Sequence, residues 1–178
     1  MKRLFIIGVM ILFGAKCHAQ IFQVATQLLS DALLEVNASL EVRASRRCSV
    51  LLRGAFNPLR SDSFSFQNEA AQISCRMWKS ECFMGHFISL DAQNVWFDFG
   101  KRVAPSRGNA FSVGVGYGYS WMIKKRVNIA VELSLGFWWI RSRRVLRNED
   151  EFEPDIAYRK RSMKFLPING GVTIGYMF

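Results

Sequence analysis

The stretch 111–122, FSVGVGYGYSWM, constrains the fold more than any other part of the chain. Phe111, Val113, Val115, Tyr117, Tyr119 and Trp121 recur at every second position, and Ser112, Gly114, Gly116, Gly118, Ser120 and Met122 fill the positions between. A strand sends successive side chains to opposite faces, so this segment is broad and apolar on one side and nearly bare on the other. A strand of a soluble sheet would turn Lys, Thr or Glu to water. Small residues instead suit the crowded interior of a narrow barrel whose apolar face is turned outward. A soluble barrel or sandwich with the apolar face inward is the competing architecture.

The pattern repeats along the chain. Val127, Ile129, Val131, Leu133, Leu135, Phe137 and Trp139 alternate with Asn128, Ala130, Glu132, Ser134 and Gly136. Near the end, Leu166, Ile168, Val172, Ile174, Tyr176 and Phe178 alternate with Gly171, Thr173, Gly175 and Met177. Weaker alternation predicts strands over 22–30, 35–43, 48–57, 70–78 and 83–97, ahead of those over 111–122, 127–140 and 165–178. The expected fold is therefore all-β, an eight-stranded antiparallel up-and-down transmembrane β-barrel, the even strand number that single-chain bacterial barrels have. After the N-terminus no apolar run reaches the roughly 20 residues of a membrane helix.

Residues 1–19 read as a signal peptide, and 20–178 as the barrel domain. Lys2 and Arg3 precede an apolar core from Leu4 to Phe13, and Cys17-His18-Ala19 offers a loose cleavage site. Acylation at Cys17 is the alternative, disfavoured by Lys16 just before it. Removal of the segment takes away three of 24 basic residues and none of 14 acidic ones, leaving 21 against 14, or +7. Export makes nucleic acid an improbable partner for that charge and makes outer-membrane lipid and lipopolysaccharide the available ones. A protein partner is not specified. Cys48, Cys75 and Cys82 remain, and their spacing selects no disulfide and no metal site.

With both termini on the periplasmic side, turns near 44–47, 79–82 and 123–126 are short. Outer loops near 31–34, 58–69, 98–110 and 142–164 are mostly long, the asymmetry outer-membrane barrels have. The same choice sets Tyr119, Trp121, Tyr176 and Phe178 at the periplasmic rim and Phe137 and Trp139 at the outer one, as two interfacial belts. Aromatic Phe178 at the chain end, with Tyr176 before it, looks like the C-terminal signal read by the barrel assembly machinery, without its usual glycine spacing.

Several segments together are similar to one family. Phe56-Asn57-Pro58 follows an alternating strand, GHF at 85–87 leads into Ile88 and Leu90, GYGYSW at 116–121 precedes a basic turn, and the chain closes on GxxIGYMF. In this order and spacing they resemble the domain of unknown function 3575 family, small outer-membrane β-barrel proteins, from about Thr26 to Phe178. The resemblance implies the same fold and location. It implies no reaction, and the charged loop 142–164 departs from the family.

The inward positions of the expected strands carry Glu35, Glu41, Arg43, Arg53, Arg76, Asp91 and Glu132. Buried charges need partners, so these predict a lumen cross-linked by ion pairs rather than an open one. A narrow small-solute channel is the alternative. His86 shares its face with Met84, Ile88 and Leu90, none of them a nucleophile. A hydrolase needs a nucleophile and an orienting carboxylate beside its base, so a lipid-modifying enzyme is the least favoured reading and a non-enzymatic role is expected. No cofactor is called for. Arg141, Arg143, Arg144 and Arg147 lead out of strand seven, and Arg159, Lys160 and Arg161 lead into strand eight. These basic flanks suit lipopolysaccharide phosphates. The acidic tip between them, from Glu149 to Asp155, lacks the spacing of a calcium loop.

Overall fold

The structure, a computed structural model of the chain, describes residues 22–28, 35–57, 64–101, 106–146 and 156–178. The segment 1–19, expected to be a signal peptide, lies outside them, as do the tips of the expected outer loops.

Eight antiparallel strands follow one another around a closed barrel. They are β1 (Phe22–Gln27), β2 (Val36–Arg43), β3 (Cys48–Asn57), β4 (Phe64–Trp78), β5 (Gly85–Lys101), β6 (Ser106–Lys124), β7 (Val127–Leu146) and β8 (Ile156–Met177). Every strand pairs with its neighbour in sequence, and β1 closes the ring on β8, from Gln23 opposite Met177 to Gln27 opposite Thr173. The expected eight-stranded antiparallel up-and-down barrel is the observed one. Both described ends of the chain and the turns after β2, β4 and β6 lie at one end, called here the terminal end; the opposite end is the far end.

The strands are longer than alternation predicts. Much of the segments expected as loops 58–69, 98–110 and 142–164 is paired strand, with β7 and β8 in register as far as Leu146 opposite Ile156. Backbone pairing needs no apolar face. In these extensions the outward row turns polar, at Gln67, Glu69 and Asp98, while Phe97 and Phe99 stand on the inward row, so the apolar-outward pattern ends while the ladder continues. β1 is correspondingly shorter than 22–30, and Glu35 precedes β2.

The barrel is inside out. Among the described residues 20 buried side chains are polar or charged and 10 are hydrophobic. The outward rows stay exposed, with Leu52 at 53%, Leu90 at 58%, Val115 at 62% and Leu133 at 57%. The bare face of β6 makes this packing feasible. A Cβ at Gly116 would strike Ser89 and Ser134, one at Gly118 would strike the Phe87 ring, and one at Gly114 would strike Ile168 and the β7 backbone.

Two positions correct the alternation. Ile168, expected outward, is buried, because the register shifts opposite Ser134 and Leu135. Pro167 lies opposite Leu135 and Asn169 opposite Ser134, which leaves Ile168 as the extra residue of a bulge next to a residue with no N–H to donate. Beyond the bulge the faces exchange, so Phe165 and Met163 oppose outward Phe137 and Trp139 while Leu166 opposes inward Gly136. Phe83, expected as the first residue of strand five, sits in the turn with φ of 69°. Met122 keeps the expected inward register, opposite Asn128, and is exposed because it stands at the terminal rim, just before the β6–β7 register shifts.

Candidate functional site

The middle of the lumen is organised around Arg76. Its Nη1 donates to Glu41 Oε2 at 2.6 Å and its Nη2 to Glu132 Oε2 at 2.5 Å, so one guanidinium on β4 joins β2 to β7. All three side chains are only 2% exposed. Hydroxyls from neighbouring inward positions satisfy the other carboxylate oxygens. Ser49 donates to Glu41 Oε1 at 2.5 Å, and Ser74 donates to Asp91. Ser89 Oγ lies 2.9 Å from Asp91 Oδ2 and 2.8 Å from Glu132 Oε1, a single hydroxyl between two carboxylates. Buried acids held this way form a rigid cross-brace, because an unsatisfied charge in such a site costs several kcal/mol.

Toward the terminal end an apolar plug adjoins this network. Trp78, Cys82, Phe83, Phe87, Ala130 and Met177 form one buried cluster. The Phe87 ring lies 4.8 Å from Arg76 Cζ and packs on Trp78 at 4.6 Å between centroids. Trp78 Nε1 donates to Ser49 Oγ at 2.8 Å, which ties plug to network. The left-handed backbone of Phe83 is over-determined from outside its turn. Asn128 Nδ2 and Ser120 Oγ donate to its carbonyl at 2.7 and 2.8 Å. Cys82 is buried beside it, and burial pushes its thiol up to about 11. Cys48, Cys75 and Cys82 are all free thiols.

Toward the far end the lumen opens into a cavity of 180 Å³. Arg53 lines it and donates through Nη1 to Gln27 Oε1 at 2.8 Å. Gln27 in turn donates to Asn169 Oδ1 at 2.9 Å, and Asn169 Nδ2 reaches Glu132 at 3.3 Å.

The expected lumen charges therefore divide. Glu41, Arg76, Asp91 and Glu132 meet in one network, and Arg53 joins it through Gln27 and Asn169. Arg43 does not join. It lies at the terminal rim, where its Nε donates to the Ser45 carbonyl at 3.2 Å. Glu35 lies toward the far end and accepts from Asn68 Nδ2 at 3.0 Å. Face parity predicts an inward direction but not a height, so residues at rim and middle look alike in sequence. The serines, Gln27, Asn169 and the Trp78–Phe83–Phe87 plug were not singled out as partners. Their inward parity was the available signal.

His86 points outward, with Nδ1 2.5 Å from the Tyr117 hydroxyl and its ring edge-on to Tyr119 at 4.6 Å. The expected aromatic belts form pairs on the outer wall. Tyr119 packs on Trp121 at 4.6 Å and Tyr176 on Phe178 at 5.0 Å at the terminal end. Phe111 stacks on Trp139 at 6.0 Å and Phe137 meets Phe165 at 5.2 Å toward the far end.

The expected basic flanks are strands, not loops. Arg141 opposes Arg161, Arg143 opposes Arg159 and Lys160 opposes Ser142 across β7 and β8. Arg144 opposes Tyr158, and Arg147 lies outside the described residues, as does the acidic tip up to Asp155.

No curated protein and no solved structure matches the chain. One family model does, across residues 4–178, and its description is protein of unknown function (DUF3575). The chain belongs to that family.

Proposed function

We infer that the protein is an outer-membrane β-barrel with a non-enzymatic, structural or surface-interaction role, exported by its N-terminal segment. The observation that carries this reading is the inverted distribution of polarity, with a hydrogen-bonded ionic lumen inside an exposed apolar wall. Such a wall in water would be a large aggregation surface, whereas lipid is its natural solvent.

The height of the wall fits a bilayer. On β6 the outward row runs ten steps along the strand, from Phe111 to Trp121, the two aromatic levels. At ~3.4 Å per residue and a tilt of ~40°, ten steps rise about 26 Å, close to the ~25 Å apolar band of such barrels. Polar outward residues begin at the upper level, where Glu69 opposes Trp96 and Asn94 opposes Phe111. The partners on this reading are membrane lipid and lipopolysaccharide, and the barrel assembly machinery, which would engage β8 with its outward Tyr176 and Phe178. The lumen acts as a brace rather than a path, since Arg76 and the Trp78–Phe83–Phe87 plug occupy its section.

The test is fractionation of expressing cells with heat-modifiable migration of the membrane fraction. The reading expects the protein in the outer membrane, migrating faster unheated than boiled. A protein recovered soluble from the periplasm overturns it.

A further inference from the structure

The outer wall carries an arrangement that a solvated surface does not explain. Arg141 lies directly opposite Arg161, with Asn109 opposite Arg141 on the other side. Two residues further toward the far end, Arg143 opposes both Arg107 and Arg159. Arginines thus stand at two levels of the outward face, Arg141 and Arg161 at the lower and Arg107 and Arg143 at the upper. Like charges directly opposite one another on adjacent strands destabilise a sheet. Among the described residues the only carboxylate paired with these positions is Asp98, which accepts from Arg107 Nε at 2.8 Å.

Depth supplies the second argument. The row directly below is Phe111, Trp139 and Met163, the upper aromatic level. Two residues along a tilted strand rise about 5 Å, so the arginine rows stand about 5 and 10 Å above the apolar band. That is where phosphate groups of a lipid lie. A groove of 550 Å³ runs between the two levels, lined by Asn109, Phe111, Trp139, Arg141, Arg161 and Met163. Its floor is aromatic and its upper edge is cationic, the complement of an amphipathic anion.

Resting on the outer-membrane reading above, the geometry points to a binding site for the phosphorylated headgroup of lipopolysaccharide on the β6–β8 wall. Arg107, Arg141, Arg143 and Arg161 less Asp98 leave three positive charges on two levels. A phospholipid brings one phosphodiester charge to such a site. Lipid A carries phosphate monoesters of about −1.5 to −2 each on a rigid disaccharide, and so matches charges spread over several ångströms. Arginine forks hold such oxygens in pairs, with cross-strand neighbours ~4.5–5.5 Å apart.

The experiment is native mass spectrometry of the detergent-solubilised protein titrated with bisphosphorylated lipid A, dephosphorylated lipid A and phosphatidylglycerol. The site predicts one tightly bound bisphosphorylated lipid A, with the other two lipids at least about ten-fold weaker. Arg141→Gln with Arg161→Gln should weaken lipid A binding about ten-fold. Lys125→Gln with Arg126→Gln removes the same charge at the terminal end and should leave it unchanged. Equal binding of phosphatidylglycerol, equal loss in the Lys125/Arg126 variant, or no loss in the Arg141/Arg161 variant overturns the proposal. Each preparation is also run for heat-modifiable migration. A heat-modifiable protein that binds no lipid A overturns this site alone, and one that is not heat-modifiable overturns the barrel reading beneath it.

Discussion

Arg76 on β4 and Glu132 on β7 meet across the lumen at 2.5 Å, each almost wholly buried. With Glu41 on β2 they brace strands that are not neighbours in the sheet. Removing the cation would leave two carboxylates facing each other without a counter-charge. Arg76→Met is expected to destabilise the barrel by about 3–5 kcal/mol, the range for breaking a buried pair. Urea titration in detergent micelles measures it, and a loss below about 1 kcal/mol would mean the brace is dispensable.

Gly118 and Phe87 are coupled by space. The Phe87 ring, together with the Val131 carbonyl, occupies the volume a side chain at 118 would take. Gly118→Val is expected to cost at least about 1–3 kcal/mol through overpacking. Phe87→Ala made on that background should restore part of the loss, although alone it removes a plug residue. A double variant as unstable as the sum of the two singles would show that the ring is not what Gly118 accommodates.

The Cys82 thiol is raised to about 11 by burial, from an ordinary value of 9.0. The protonated form is favoured in the fold, so its contribution to stability is fully present below about pH 9 and is lost as pH rises toward 11. Only the thiolate alkylates, so in a Cys48→Ser, Cys75→Ser background native Cys82 should react slowly with N-ethylmaleimide at pH 8. Its rate should climb with a midpoint near 11. A midpoint at the ordinary thiol value would contradict the burial described.

A lumen braced at mid-height and plugged beside the brace should not conduct. In planar bilayers the purified protein is expected to give no stepwise current. Steady single-channel steps would restore the small-solute channel.

The parts of the fold that were legible in the sequence are those where the two faces differ most. On β6, and on β7 as far as Gly136, the outward row is large and the inward row mostly small, so strand, face and neighbour follow from the period alone. Legibility fails where that contrast ends. In the extensions of β4 to β8 the outward row turns polar, as at Glu69, Asp98 and Arg141, and only backbone pairing reveals them. Ile168 has an outward pattern but an inward side chain, because a single inserted residue beside Pro167 reverses the faces. The charged lumen was visible as a set, through Glu41, Arg53, Arg76, Asp91 and Glu132. Who meets whom depends on the stagger between strands, which leaves Arg43 at the rim and Arg76 at the centre.

On the outer-membrane reading the apolar wall faces lipid and the ionic lumen does not. Depth-dependent quenching by brominated lipids in reconstituted vesicles reads this directly, using variants that retain one tryptophan each. Trp121 and Trp139 lie exposed on the outer wall, whereas Trp78 is 4% exposed inside the lumen. Trp121 and Trp139 should be quenched strongly by bromines near the headgroups, whereas no brominated lipid should reduce the emission of Trp78. Quenching of Trp78 together with unquenched Trp121 and Trp139 would turn the barrel outside in and contradict that reading.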